Sequence, residues 1–350
     1  MELARKLQVH RITRRQGATV LVGALWLALS PWSVSTTLAQ AGPPPDPETS
    51  LIAPLASRSL LLDAAAVGGR LVAVGERGHI LVSDDGGASW KQTEVPTIAT
   101  LTAVFFHDRN LGWAVGHDAV ILRTSDGGAT WQLLYQDPDE ERPFLDVWFA
   151  DADRGFAIGA YGFFFATSDG GETWEPRTIS DWDYHLHHLS RSDTGKLYIA
   201  AEAGTIYRSD DGGETWLELA SPYEGSFFVT LPLDGDALLL AGLRGHLFRS
   251  DDAGASWQAI ETGTEAMLTD AIRLPDGRPL VVGLEGMMLV SDDGGRSFAA
   301  HPRRDRFGIS SVVAIDGERL LVVGSRGLAA QPIDELTGGG PSGPEGTGDR

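Results

Sequence analysis

Ser83-Asp84-Asp85-Gly86-Gly87-Ala88-Ser89-Trp90 is an acidic, glycine-rich box, and it recurs five more times, closing on Trp131, Trp174, Trp216, Trp257 and Phe298. The intervals between the closing aromatics are 41, 43, 42, 41 and 41 residues. A second series interlocks with the first. It is an apolar run ending in small residues and a turn: Val74-Gly75-Glu76-Arg77-Gly78, Val115-Gly116-His117-Asp118-Ala119, Ile158-Gly159-Ala160-Tyr161-Gly162, Ala200-Ala201-Glu202-Ala203-Gly204, Ala241-Gly242-Leu243-Arg244-Gly245, Val282-Gly283-Leu284-Glu285-Gly286 and Val323-Gly324-Ser325-Arg326-Gly327. Seven turns thus accompany six boxes. Together they hold 23 of the 43 glycines, so recurring turns explain most of the glycine excess.

A period near 41, built of short apolar runs between Gly and Asp turns, fits a four-stranded propeller blade and not a helical solenoid. One unit reads as Leu101–Phe106, Gly112–Val115, Val120–Arg123, the box, and Trp131–Leu134. The span 52–335 divides into seven such units, and the expected fold is an all-β, seven-bladed propeller of antiparallel blades. The last unit has strands at Ile309–Ile315, Arg319–Val323 and Leu328–Gln331 but no box. The segment Leu51–Ser57 is expected to supply its fourth strand, so that both chain ends close one blade and no edge is left open.

Outside the repeats, residues 1–41 read as an export signal. Arg5, Lys6, Arg11, Arg14 and Arg15 precede an apolar run over 18–29, and small residues near Ala39 and Ala41 offer a cleavage point. The run is short for a membrane span. Arg14-Arg15 is followed by Gly17 and Ala18 where a twin-arginine signal carries bulkier apolar residues. Residues 42–51 form a proline-rich linker and 336–350 a glycine-rich tail. Removing the leader changes the net charge from −20 to −24. This balance disfavours nucleic acid and favours a protein partner with a basic surface. The absence of cysteine excludes disulfides, thiolate metal centres, a thiol nucleophile and a lipidated N-terminal Cys. The expected protein is periplasmic and monomeric.

In each box the aspartate can accept turn N–H groups, the glycines permit positive φ, and the aromatic buries area between strands. Asp84, Asp126, Asp169, Asp210, Asp251 and Asp292, with Trp90, Trp131, Trp174, Trp216, Trp257 and Phe298, are read in this structural role. The box resembles the Asp-box, or bacterial neuraminidase repeat, of sialidases, sortilins and photosystem II stability/assembly factors. The regular layout over 52–335, with no inserted domain, is most similar to the last of these. That resemblance implies a non-catalytic scaffold that binds and stabilises membrane-protein assembly intermediates. The photosynthetic members carry an arginine-rich patch, whereas this chain offers mixed charges.

Because box and turn connect different strand pairs, all seven turns are expected on one face, together with the connections between blades. Arg77, His117, Asp118, Tyr161, Glu202, Arg244, Glu285 and Arg326 are the candidate turn residues, and Trp182, Tyr184 and His185 join them from one connection. Further connection residues are Arg142, His187, Phe227, Phe228, Met267, Arg306 and Phe307. Exposed aromatics beside arginine suit a protein interface. A glycosidase would instead use Arg77, Arg244 and Arg326 as a carboxylate clamp, with Asp118, Glu202 or Glu285 as acid and base. The Arg-Ile-Pro motif of sialidases is missing, however. A peptide- or glycan-binding receptor is the other alternative. Asp181, Asp183, His185, His187 and His188 crowd one segment, but no metal is assigned to them and no cofactor motif is found.

Overall fold

The structure, a computed structural model, describes residues 48–336; the leader, residues 42–47 and the tail from residue 337 lie outside the described residues. Seven antiparallel sheets follow one another along the chain, six of four strands and the last of three. They occupy residues 61–93, 101–135, 144–176, 186–218, 227–260, 268–300 and 309–332. Within each sheet the strands lie in chain order. The first strands of successive sheets touch all round, and that of the seventh touches that of the first. The sheets are therefore the blades of a closed, seven-bladed propeller, with the first strands around its axis.

The second strands show why the ring is stable. Gly112–Gly116, Leu197–Ala201, Leu238–Gly242 and Pro279–Gly283 are buried at every position. A strand covered by a blade on both faces reads as a continuous apolar run, without the alternation of a half-exposed sheet. Each gap between blades has its own core. Val72 and Val82 meet Val104 and Leu122 between the first two blades, and Leu321 and Val323 meet Leu61 and Leu71 between the seventh and first. Each fully buried side chain of this kind contributes about 1.5–3 kcal/mol.

The seventh blade differs from its expected form. Its strands are Ile309–Ala314, Arg319–Gly324 and Gly327–Pro332, and no N-terminal strand is added. Ser50 instead bonds to Val95 in both directions, its N–H to the Val95 carbonyl and its hydroxyl to the Val95 N–H, each at 2.9 Å. Gln92 donates to the Leu51 carbonyl and accepts the Ala53 N–H. The segment therefore lies against the outer part of blade one. Ala56–Arg58 then makes a 3-10 turn, with Ala56 buried in the core between blades seven and one. The Ser57 carbonyl packs so closely on Gly327 that a Cβ there would lie 2.0 Å from it. In blade one the Thr97 carbonyl, which leads into blade two, packs in the same way on Gly78. Residues 50–58 thus take the part of a blade-to-blade connection, not of a strand.

The boxes also correct one register. In the second and third, Asp126 and Asp169 accept the bonds that close the turn. In the other four the bonding carboxylate is Asp85, Asp211, Asp252 or Asp293, one residue beyond Asp84, Asp210, Asp251 and Asp292. Asp85 takes the Ser83 hydroxyl at 2.8 Å, the Ser89 N–H at 2.8 Å and the Ser89 hydroxyl at 2.6 Å. The hydroxyl that starts the box, Ser83, is buried and also accepts the Gly87 N–H, so the carboxylate must stand two residues after it. Asp84, Asp210, Asp251 and Asp292 are exposed and pair with Arg70, Arg208, Arg249 and Arg278. Trp90 and Trp131 donate their indole N–H to the Gly87 and Gly128 carbonyls. Trp257 donates to Ala220, and Phe298 packs on the core between blades five and six. The buried indole N–H groups of Trp174 and Trp216 have no partner among the described residues.

Candidate functional site

Boxes join the third strand to the fourth, and the V-G-x-x-G turns join the second to the third. In a sheet whose strands run alternately up and down, these connections fall on opposite faces. The connections between blades share the face of the turns.

Five turns, Glu76–Gly78, Ala160–Gly162, Glu202–Gly204, Leu243–Gly245 and Leu284–Gly286, are single 3-10 turns of one geometry. Their middle residues have left-handed backbones: Arg77 at φ 57°, Tyr161 at 53°, Ala203 at 54°, Arg244 at 55° and Glu285 at 58°. A non-glycine residue held there costs roughly 1–2 kcal/mol. In blade two, Asp118 and Ala119 are both left-handed, and in blade seven Gly327 takes the positive φ. The strain raises a side chain from the same place in blade after blade, and such outliers gather where a surface is used.

The structure sorts the candidates into those available and those held. Arg77, His117, Arg244 and Arg326 are exposed. Among the described residues, none of these three arginines is in an ion pair, whereas eleven others are. Tyr161 is 54% exposed and Trp182 64%. Asp118 is half-buried. Glu285 pairs with Arg306. Glu202 accepts the His185 N–H at 3.2 Å, and Glu76 accepts the Leu60 N–H in the same manner, so both carboxylates tie a turn to its first strand.

Blades three to five bring the aromatics together. Tyr161 meets the His185 ring edge-on at 4.6 Å, His185 lies 6.1 Å from His187, and His187 lies 4.7 Å from Phe228. Trp182 stacks on Tyr184 at 6.1 Å. On the same face a groove of about 630 Å³ includes Arg244, Glu261 and Thr264, and its wall is the stacked pair Tyr223 and His246, 4.0 Å apart. Phe227 and Phe307 do not join the surface; they are 0% and 3% exposed and belong to the cores.

The other predicted groupings converge on no common partner. Arg77, Arg244 and Arg326 sit on blades one, five and seven, with no common carboxylate partner among the described residues. The crowded histidines turn to different partners. His187 Nδ1 donates to the Phe227 carbonyl at 2.7 Å, while His188 Nδ1 accepts the Thr230 N–H at 3.3 Å. Burial lowers both, His188 to about 4.

One set of ionisable residues escaped the sequence reading. Asp63, Asp146 and Asp270 occupy the same place in the first strands of blades one, three and six. Each accepts the next residue's N–H and, across the gap, an N–H of the following blade: Val104 at 2.8 Å, Leu189 at 2.7 Å and Val312 at 2.8 Å. These N–H groups lie on the axial edge of the first strands, where no further strand bonds them. The carboxyls line the axis, partly solvent-touched yet surrounded by protein. Burial raises Asp63. Burial, reinforced by Asp63 and Asp270, pushes Asp146 up to about 8, and burial with Asp63 beside it pushes Asp270 up to about 7. The signal for them was the third residue of each first strand, which is Asp in these blades, His188 in the fourth and Ser311 in the seventh.

Regular Asp-boxes on one face, variable turns on the other and no inserted domain define an Asp-box propeller. Residues 82–144 and 134–306 match the family model for photosynthesis system II assembly factor YCF48, and the chain belongs to that family. Among solved structures it resembles YCF48 bound to D1 peptide, at 18% identity and a TM-score of 0.66, over 81% of this chain and 96% of that one. YCF48 from Cyanidioschyzon merolae is similar at 18% identity and a TM-score of 0.65, over 81% and 98%. The WD40 propeller of Doa1 shares the fold at 15% identity and a TM-score of 0.63, over 83% and 98%. No curated protein sequence matches the chain.

Proposed function

We propose that this protein is a non-catalytic assembly scaffold of the envelope, exported by its leader, which holds a segment of a membrane-protein partner on its turn face. The observation that carries this reading is the set of strained left-handed turns, which hold Arg77, Tyr161 and Arg244 outward at equivalent places around the ring. A rigid ring presents them with little loop entropy left to lose on binding. Family membership supports the same reading, and the similar YCF48 solved with a D1 peptide makes a peptide segment the natural class of ligand. The acidic chain, net −20, favours a partner whose surroundings are basic and makes association faster at low salt. The unpaired arginines then receive the partner's carboxylates. Glycoside hydrolysis is disfavoured by the structural use of Glu202 and Glu285.

The test is capture from detergent-solubilised envelope by the mature chain and by the triple variant Arg77→Glu, Arg244→Glu, Arg326→Glu. One membrane protein retained by the first and lost from the second is the expected result. Equal retention by both would sink the assignment to this face.

A further inference from the structure

The box face carries a second recurring device, and one of its copies is incomplete. At five blade interfaces an arginine of one blade donates to the carbonyl at the head of the next blade's box. Arg70 reaches Gly127 at 2.8 Å, Arg123 reaches Gly170 at 3.2 Å, Arg208 reaches Ala253 at 2.9 Å and Arg319 reaches Gly86 at 3.4 Å, while Arg249 bonds Gly294. Blade seven has no box to receive one. At the remaining interface, between blades three and four, the box is present but no arginine bonds it among the described residues.

Strand register locates the gap. Arg123, Arg208 and Arg249 stand opposite Trp113, Tyr198 and Leu239 of their second strands. In blade three the residue opposite Phe156 is Ala166. The acceptors for the missing guanidinium are nevertheless in place. Arg123 bonds not only Gly170 but also the Glu172 carboxylate, at 2.5 Å. The corresponding residues of the fourth box are Gly212 and Glu214. The Gly212 carbonyl accepts no hydrogen bond and Glu214 is in no ion pair among the described residues. Gly127, Gly170 and Ala253 are buried beneath their arginines, Gly86 is half-buried and Gly294 exposed; Gly212 is exposed too, with nothing within 4 Å of where its Cβ would be. Arg154 stands where Arg70 and Arg319 stand in their blades, but its guanidinium is turned to Asp151, at 2.8 Å.

The space left behind is a cavity of about 300 Å³ whose lining includes Trp148, Phe156, Ala166, Gly212 and Glu214. Trp148 and Phe156 stack at 6.3 Å and 11°, an aromatic wall of the kind a flat guanidinium covers well. Arg154, Arg177 and Arg191 also line it, as do Glu175 and Asp211, so charge alone does not select the occupant. The repeat does, because equivalent acceptors hold an arginine at interface after interface. We propose that the cavity between blades three and four is a socket for an arginine side chain supplied by a partner protein, with Gly212 and Glu214 as its acceptors. The socket is on the face opposite the turns and stands independently of the function proposed above.

Titration calorimetry of the full chain with the capped tripeptide Gly-Arg-Gly tests it. Saturable binding is expected, with the Gly-Lys-Gly peptide several-fold weaker because an ammonium cannot make the forked contact. Ala166→Arg fills the socket from within, raises the melting temperature, and weakens the peptide at least tenfold. Should that variant fail to fold, Glu214→Gln at an exposed box position gives the same weakening. The turn variant Arg77→Glu, Arg244→Glu, Arg326→Glu binds the tripeptide like the natural chain, which separates failure of this proposal from failure of the turn-face reading. Absent saturable binding, equal affinity in Ala166→Arg or Glu214→Gln, or preferred uptake of N-acetylglycine lost in Arg177→Ala would overturn it.

Discussion

The Asp-boxes and the V-G-x-x-G turns recur at the same period on opposite faces, yet they treat their side chains in opposite ways. In a box, the hydroxyls and the bonding carboxylate are consumed by the turn itself: Asp85, Asp169, Asp211 and Asp252 are lowered to about 2 by bonds from a box hydroxyl and N–H. In a turn, the backbone is fixed at some strain, and side chains such as Arg77, Tyr161 and Arg244 project without a structural duty. A repeat that satisfies its own polar groups is scaffold. A repeat that keeps its backbone while varying its exposed residue is a display.

The largest effect expected on the scaffold side comes from the clasp at the ring's seam. A chain beginning at residue 60 lacks the Ser50, Ala56 and Ser57 contacts, and its chemical unfolding should broaden from one cooperative transition into several. An unchanged single transition would show that the seam needs no clasp. Next, Asp85→Ala should lower the melting temperature by roughly 5–10 °C, since it removes three hydrogen bonds at once. Asp84→Ala removes one exposed ion pair and should change it by less than about 2 °C. Reversal of that order would restore the register first read from the sequence.

The axial carboxyls give a smaller effect with a definite sign. Asp146 and Asp270 have folded values of about 8 and about 7, above the unfolded value near 4, so between those limits the folded state holds more protons than the unfolded one. Their contribution is full below about pH 4 and is lost as pH rises to about 8. The boxes act oppositely, contributing fully above about pH 4 and losing this as pH falls toward 2. Asp146→Asn should therefore flatten the decline in melting temperature from pH 5 to pH 8.5; an unchanged slope would show that Asp146 is ionised throughout. The smallest stability change belongs to the display side. Arg244→Gly exchanges left-handed strain for glycine's entropy, so it should move the melting temperature by less than about 2 °C while reducing partner capture severalfold.

Much of this was legible because propeller repeats punctuate themselves. The intervals between closing aromatics gave the period, and the seven V-G-x-x-G turns counted the blades and marked the turn face. What stayed hidden was hidden for physical reasons. The doublets Asp84-Asp85, Asp210-Asp211, Asp251-Asp252 and Asp292-Asp293 offer two adjacent carboxylates, and only the buried hydroxyl of Ser83 and its counterparts decides between them. Leu51–Ser57 looked like a strand because the seventh blade lacked one, but its backbone serves the connection into blade one. Phe227 and Phe307 adjoin connections and resemble loop aromatics until the first strands bury them. Asp63, Asp146 and Asp270 are isolated carboxylates in apolar runs, and only ring closure places the next blade's N–H against each one. The Ala166 gap is invisible without the arginines that fill its counterparts.

The central claim is that the turn face holds the partner, and site-specific photocrosslinking tests it most directly. A photoreactive residue is placed at Tyr161 on the turn face, or at Ala129 in the box of blade two on the opposite face, and each chain is irradiated in the native envelope. One discrete protein adduct is expected from position 161, and position 129 does not give it. The same adduct from 129, with none from 161, would contradict the claim.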